Sequence, residues 1–169
     1  MNLALSPNVI TVLLRRDDGE TAVTLRPLPL GFHRRLKERG LVPPAAPRKA
    51  ARDSGGRVLR DERGMAVLTE ETESAAHLTA VDRYQERLAA VMLAESLTGD
   101  VVVETPPPAE GGDWSAYADA VLAELDEAGV TPGDLATLCR GVCAASGLLS
   151  EAVTEAGESL FPGPAGGGD

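Results

Sequence analysis

Apolar and polar positions alternate near the start of the chain and later switch to a spacing of three and four, which predicts a hairpin followed by helices. Val9 to Leu14 is a β-branched and aliphatic run, and Thr21, Val23 and Leu25 recur at every second position. Asp17-Asp18-Gly19 between them has turn chemistry, so the two runs predict a β-hairpin. After Pro27-Leu28-Pro29, Phe32 and Leu36 stand four apart among His33, Arg34, Arg35, Lys37 and Arg39, until Gly40 ends the pattern. That is a short basic amphipathic helix.

Residues 41–56 carry Pro43, Pro44, Pro47, Gly55 and Gly56 with almost no apolar side chains, and read as an extended linker. Two similar stretches run from Arg52 to Leu59 and from Arg60 to Leu68. Each opens on Arg-Asp and places a turn before a short apolar segment, which predicts a small exposed hairpin. Two copies are too few for a repeat architecture.

From Ser74 to Leu97 the residues Leu78, Val81, Tyr84, Leu88, Val91, Met92 and Glu95 follow one helical face, so a long helix is expected, stopped by Gly99. Val101 to Val103 reads as a brief strand, and Pro106-Pro107-Pro108 as a stiff spacer without backbone donors. Asp113 can cap a helix with Trp114, Tyr117, Val121 and Leu125 on one side, closed by Gly129. Thr131-Pro132-Gly133-Asp134 has the pattern of a capping box with proline in the first turn. The helix it opens has the apolar face Leu135, Leu138, Val142 and Leu149, with Cys139 and Cys143 beside it. Gly147 separates it from a last helix over about 150–160.

The expected fold is therefore α+β and mostly helical. An N-terminal β-hairpin and short basic helix occupy 1–42, and a Pro/Gly-rich linker with a small hairpin occupies 43–73. A bundle of three to four helices covers 74–161, and 162–169 is a disordered tail. A chain of 169 residues can bury roughly 70% of its unfolded surface, and with five aromatic residues its core must be aliphatic.

Charge alters this picture, because the net −10 is unevenly distributed. Residues 1–60 hold 12 basic and 5 acidic side chains, or +7, while 61–169 come to −17. Opposed poles on one chain suit electrostatic complementarity within the chain or between neighbours. The run 26–60 could meet phosphates through Arg34, Arg35, Lys37 and Arg39, making a nucleic-acid-binding accessory protein one reading. The acidic remainder and the scarcity of aromatics disfavour it.

Candidate chemistry is sparse. Cys139 and Cys143 lie one helical turn apart, with Cβ atoms about 5–6 Å from each other, beyond the roughly 3.5–4.5 Å of a disulfide, and read as reduced core thiols. Neither His33 nor His77 shares a metal-ligand spacing with them. Glu70, Glu71 and Glu73 read as a solvated helix entrance, and Gly55-Gly56 lacks the lysine of a phosphate loop. No catalytic residue, metal or cofactor is expected, and no enzyme. No leader or membrane-spanning run is apparent, so a cytoplasmic protein is expected.

The order of segments carries a resemblance. A small hairpin precedes Leu28 to Pro44, with Leu-Gly-Phe-His-Arg-Arg-Leu at its start, then come the Arg52-Asp53 turn region, Tyr84-Gln85-Glu86-Arg87-Leu88, the Gly112-Asp113-Trp114 helix start and Gly133-Asp134-Leu135. Over roughly residues 9–150 this layout resembles the small tail assembly chaperones of tailed bacteriophages. The resemblance implies a non-enzymatic protein that binds the tape-measure protein, keeps it soluble, helps recruit tail-tube subunits and self-associates. A structural tail or neck component of the virion is the alternative. The expected partner-binding residues are Phe32, Arg34, Arg35, Leu36 and Arg39 on the basic helix, and Leu135, Leu138, Val142 and Leu149 on the later one.

Overall fold

The computed structural model describes residues 8–16, 19–99 and 101–148. Strands β1 (Ile10–Arg16) and β2 (Gly19–Leu25) pair antiparallel with Ile10 opposite Leu25, Val12 opposite Val23 and Leu14 opposite Thr21. That register places the alternating apolar residues of both strands on one face. Leu14, Val23 and Leu25 are buried there, while Leu13 remains exposed.

Helix α1 (Phe32–Glu38) follows, and its apolar pair Phe32 and Leu36 points inward. The amides of Gly40 and Leu41 return to the carbonyls of Lys37 and Leu36, and the left-handed backbone at Gly40 (φ 82°) makes that turn possible.

The long helix α2 (Ala75–Ser96) opens on Ser74, whose hydroxyl accepts the His77 amide. Its C-terminal part is enclosed on all sides, with Ala90, Val91, Met92 and Leu93 buried, whereas Leu78 near its start is exposed. The chain leaves it as a short strand, β5 (Leu97–Thr98), beside β2, giving the sheet order β1-β2-β5. This strand falls a few residues before the expected Val101 to Val103. Val101 and Val103 instead pack as partly buried side chains against the core.

Helices α3 (Trp114–Glu127) and α4 (Pro132–Ala145) have the expected caps. Asp113 accepts the amides of Ser115 and Ala116, and Thr131 and Asp134 form a reciprocal capping box. The expected last helix over 150–160, the tail 162–169 and Leu149 lie outside the described residues.

One core joins these parts: Leu14, Val23 and Leu25 of the hairpin meet Phe32 and Leu36 of α1 and Val91, Val121 and Val142 of the three long helices. The hairpin, α1 and the helical region therefore pack as a single unit and are not separate modules. Gly141 lets α4 lie on the sheet, because a Cβ there would stand 2.7 Å from Val12 Cγ2 and 2.8 Å from Leu25 Cδ1.

Ion pairs fasten the outside. Arg87 grips Asp119 through two parallel bonds of 2.7 and 2.6 Å, holding α2 to α3. The Glu124 carboxylate receives the amides of Glu104 and Thr105 and the Thr105 hydroxyl, tying the segment before α3 to that helix.

Candidate protein-binding surfaces

Residues 48–70 form a β arm outside the core. Strands β3 (Arg48–Ala50) and β4 (Leu68–Glu70) make the expected small hairpin, with Arg48 opposite Glu70 and Ala50 opposite Leu68. Ion pairs of Arg48 with Glu70 and Lys49 with Glu71 flank this stem.

The stem carries two loops of the same construction, one from each Arg-Asp unit. In the first, Asp53 Oδ1 accepts the amides of Gly55 and Arg57, and Arg52 Nη1 donates to the Gly56 carbonyl at 2.7 Å. In the second, Asp61 Oδ1 accepts the amides of Arg63 and Met65, and Arg60 Nη1 donates to the Gly64 carbonyl at 2.7 Å. Each aspartate thus forms an Asx-type turn, and Gly56 and Gly64 take the left-handed backbone that the turns require (φ 80° and 78°).

Three positions spaced by eight residues close the junction. The Leu59 amide donates to Ala51 O, the Val67 amide to Leu59 O and the Ala51 amide to Val67 O, at 2.8–2.9 Å. The two similar stretches thus build a three-cornered cap on the hairpin. Sequence reading detected the stretches but not this closure, because a cyclic exchange of backbone bonds leaves no mark in side-chain pattern.

The arm's own apolar residues find no core. Leu59 is 44% exposed, Met65 66%, Val67 39% and Leu68 58%, and none belongs to the buried cluster. Arg63, in the second turn, and Arg57, which closes the first loop opposite Asp53, make no side-chain hydrogen bond or ion pair among the described residues.

A second surface lies where α2, α3 and α4 meet. Leu122, Leu125, Val130, Pro132 and Leu135 line an open groove of about 320 Å³. Glu86 and Asp126 stand on its rim, both without an ion pair among the described residues.

A third and larger cleft, about 730 Å³, lies between the end of α1 and the segment 108–112. Both of its guanidiniums face one carboxylate, yet Arg35 Nε and Nη2 are buried without a hydrogen-bond partner among the described residues. Arg35 and Arg39 both face Glu95, at 3.6 and 3.3 Å, and Arg39 lies 3.9 Å over the Trp114 ring. Glu38 and Glu110 add negative charge to its lining.

The residues expected to bind partners are distributed unevenly over these surfaces. Phe32, Leu36, Leu138 and Val142 are buried in the core, so their apolar faces are covered by the chain itself. Arg35 and Arg39 hold α1 to α2 through Glu95, and exposed Arg34 pairs with Glu38 at 3.8 Å. Leu135 lines the acid-rimmed groove, and Arg35 and Arg39 line the larger cleft.

The basic run 26–60 is likewise largely committed. Arg26 donates to the Glu95 carbonyl, Arg52 and Arg60 to loop carbonyls, and Arg34, Arg35, Arg39, Arg48 and Lys49 face carboxylates. Four carboxylates, Glu38, Glu70, Glu71 and Glu95, thus offset part of the charge of this run, while the carbonyl bonds of Arg26, Arg52 and Arg60 fix those side chains without neutralising them.

Of the groups considered for chemistry, Cys139 and Cys143 are free thiols on α4, each partly buried, and burial pushes the Cys139 thiol up to about 11. His33 packs edge-on against Phe32, and the backbone of His77 belongs to the first turn of α2. Among the described residues no three His, Cys, Asp or Glu side chains converge in a metal-binding group. No described helix is long and apolar enough to cross a membrane. Comparison with protein-family models, with curated proteins and with solved structures found no match.

Proposed function

We propose that this chain is a non-enzymatic assembly protein that works by binding other polypeptides, as a tail assembly chaperone of tailed bacteriophages does. The observation that carries the reading is the β arm. A small unit held rigid by its own backbone and aspartate hydrogen bonds keeps Leu59, Met65, Val67 and Leu68 in water. Exposed apolar clusters on an ordered element are characteristic of protein-interaction surfaces.

The layout of the sequence adds the client. A tape-measure protein is a long helical chain, and a chaperone of this kind keeps it soluble in the cytoplasm and helps tail-tube subunits gather on it. The arm supplies contact area and the paired charges keep the body itself soluble. Co-expression with a tape-measure fragment tests this directly: the fragment's soluble fraction rises with the intact chain and falls back with Met65→Asp. An unchanged soluble fraction in both cases contradicts the proposal.

A structural tail or neck component is the second reading, favoured by the rigidity of the arm, which suits a permanent subunit as well. Mass spectrometry of purified particles separates the two, since a chaperone departs and a component stays at many copies.

A further inference from the structure

We infer that the cleft between α1 and residues 108–112 binds a carboxylate carried on an extended peptide, with Arg35 as the group that meets it. The inference is independent of the arm and concerns a second site, on the body. Among the described residues three buried side-chain nitrogen or oxygen atoms lack a hydrogen-bond partner, and two of them, Nε and Nη2, belong to Arg35. Its ion-pair partner Glu95 stands 3.6 Å from Nη2, too far for a hydrogen bond, and already accepts one from Arg39 Nη1 at 3.3 Å. Burying a charged donor without an acceptor costs stability, and an incoming acceptor recovers that cost.

Arg35 is free to answer one. It lines the cleft and its side chain is partly exposed. Turning its Nε and Nη2 edge toward the cleft gives up no hydrogen bond, only the 3.6 Å contact with Glu95. That planar edge fits the two oxygens of a carboxylate in parallel bonds. Local charge agrees, because Arg35 and Arg39 share the single carboxylate of Glu95 while Glu38 is matched by Arg34.

The rest of the cleft selects the body that carries the carboxylate. A volume of about 730 Å³ is far more than a bare anion fills, and Pro108, Ala109 and Trp114 give it an apolar wall. Glu110, on the same lining, has no ion pair among the described residues. It repels a small inorganic anion but accepts an N–H from a peptide backbone. The amides of Glu110 and Gly111 form no backbone bond among the described residues, which leaves donors for the carbonyls of an extended chain.

Calorimetric titration of the full chain tests this. Trp114, the chain's sole tryptophan, reports where a probe sits, because Arg39 lies 3.9 Å over its ring. The probes are N-acetyl-Leu-Ala-Leu with a free carboxyl terminus, the same peptide amidated, N-acetyl-Leu-Glu-Leu amide, and inorganic phosphate. Saturable binding with a change in Trp114 emission is expected for a peptide that carries a carboxylate and not for the one that carries none. Which of the two carboxylates is taken identifies the source as a chain terminus or an acidic side chain. Arg35→Met weakens binding by about tenfold or more. Its melting temperature holds or rises, since two unsatisfied buried nitrogens are removed. Arg35→Lys, which keeps the charge without the fork, weakens binding as well.

Absence of saturable binding by both carboxylate peptides overturns the inference. So does phosphate that binds as tightly as they do, which makes the cleft a general anion site. An Arg35→Met chain that melts lower and binds unchanged also overturns it, because Arg35 is then a structural partner of Glu95. None of these results moves the client reading, which Met65→Asp tests separately.

Discussion

Arg87 on α2 and Asp119 on α3 face each other fork to fork, Nε to Oδ1 and Nη2 to Oδ2, with Arg83 adding a third bond at 3.1 Å. The hydrogen bonds from Arg87 hold the Asp119 carboxyl below its ordinary value, and Arg87 is raised in turn. A depressed carboxylate contributes stability above its unfolded value, near 4, which is lost as pH falls through the folded value. Because the pair is partly solvated, Asp119→Asn should cost only about 1 kcal/mol at pH 7. Thermal melts of wild type and variant are expected to converge below about pH 4. An equal gap at pH 7 and pH 3 contradicts this role.

Contact between α4 and the sheet depends on the missing side chain at Gly141. Alanine there gains helix propensity of about 1 kcal/mol but drives a methyl into Val12 and the fully buried Leu25, at a cost of about 1–3 kcal/mol. Net destabilisation is expected. Gly133→Ala is the contrast, since its only neighbour within 4 Å is Thr131 Oγ1 at 3.7 Å, and it should hold or raise the melting temperature. Denaturant melts showing the same sign for both would contradict the packing described.

The arm and the body should respond separately to mutation. Asp53→Ala and Asp61→Ala each remove a carboxylate that accepts two loop amides, so amide exchange across 52–67 should accelerate. The melting temperature should barely move, because no arm residue belongs to the core. A large drop in melting temperature would show that the arm supports the fold.

Burial of Cys139 delays its ionisation to about 11. The thiolate is the reactive form. Cys139 should therefore react with a disulfide reagent far more slowly than a free thiol at pH 8, and unfolding should abolish the difference. Fast labelling of Cys139 in the native chain, followed in a Cys143→Ser variant, would contradict its burial.

Much of this structure was legible in local pattern. Alternation gave the face of β1 and β2, and Ser74, Asp113 and Thr131 marked helix starts because capping is a property of a few adjacent residues. The surfaces were not legible in the same way. Helical spacing identifies Phe32 and Leu36, or Leu138 and Val142, as apolar faces, but what covers those faces is decided by distant segments. Here the chain covers them itself. The proposed binding face lies instead at Leu59, Met65, Val67 and Leu68, in the stretch that reads as a small exposed hairpin and whose order comes from backbone bonds among Ala51, Leu59 and Val67.

The arm is proposed as a docking element that adds little to the stability of the fold. Amide exchange of the full chain, compared between dilute solution and the assembled or client-bound state, tests it most directly. Protection is expected to rise across 57–68, with the core helices unchanged. Protection that appears only elsewhere, leaving 57–68 as in dilute solution, would contradict it.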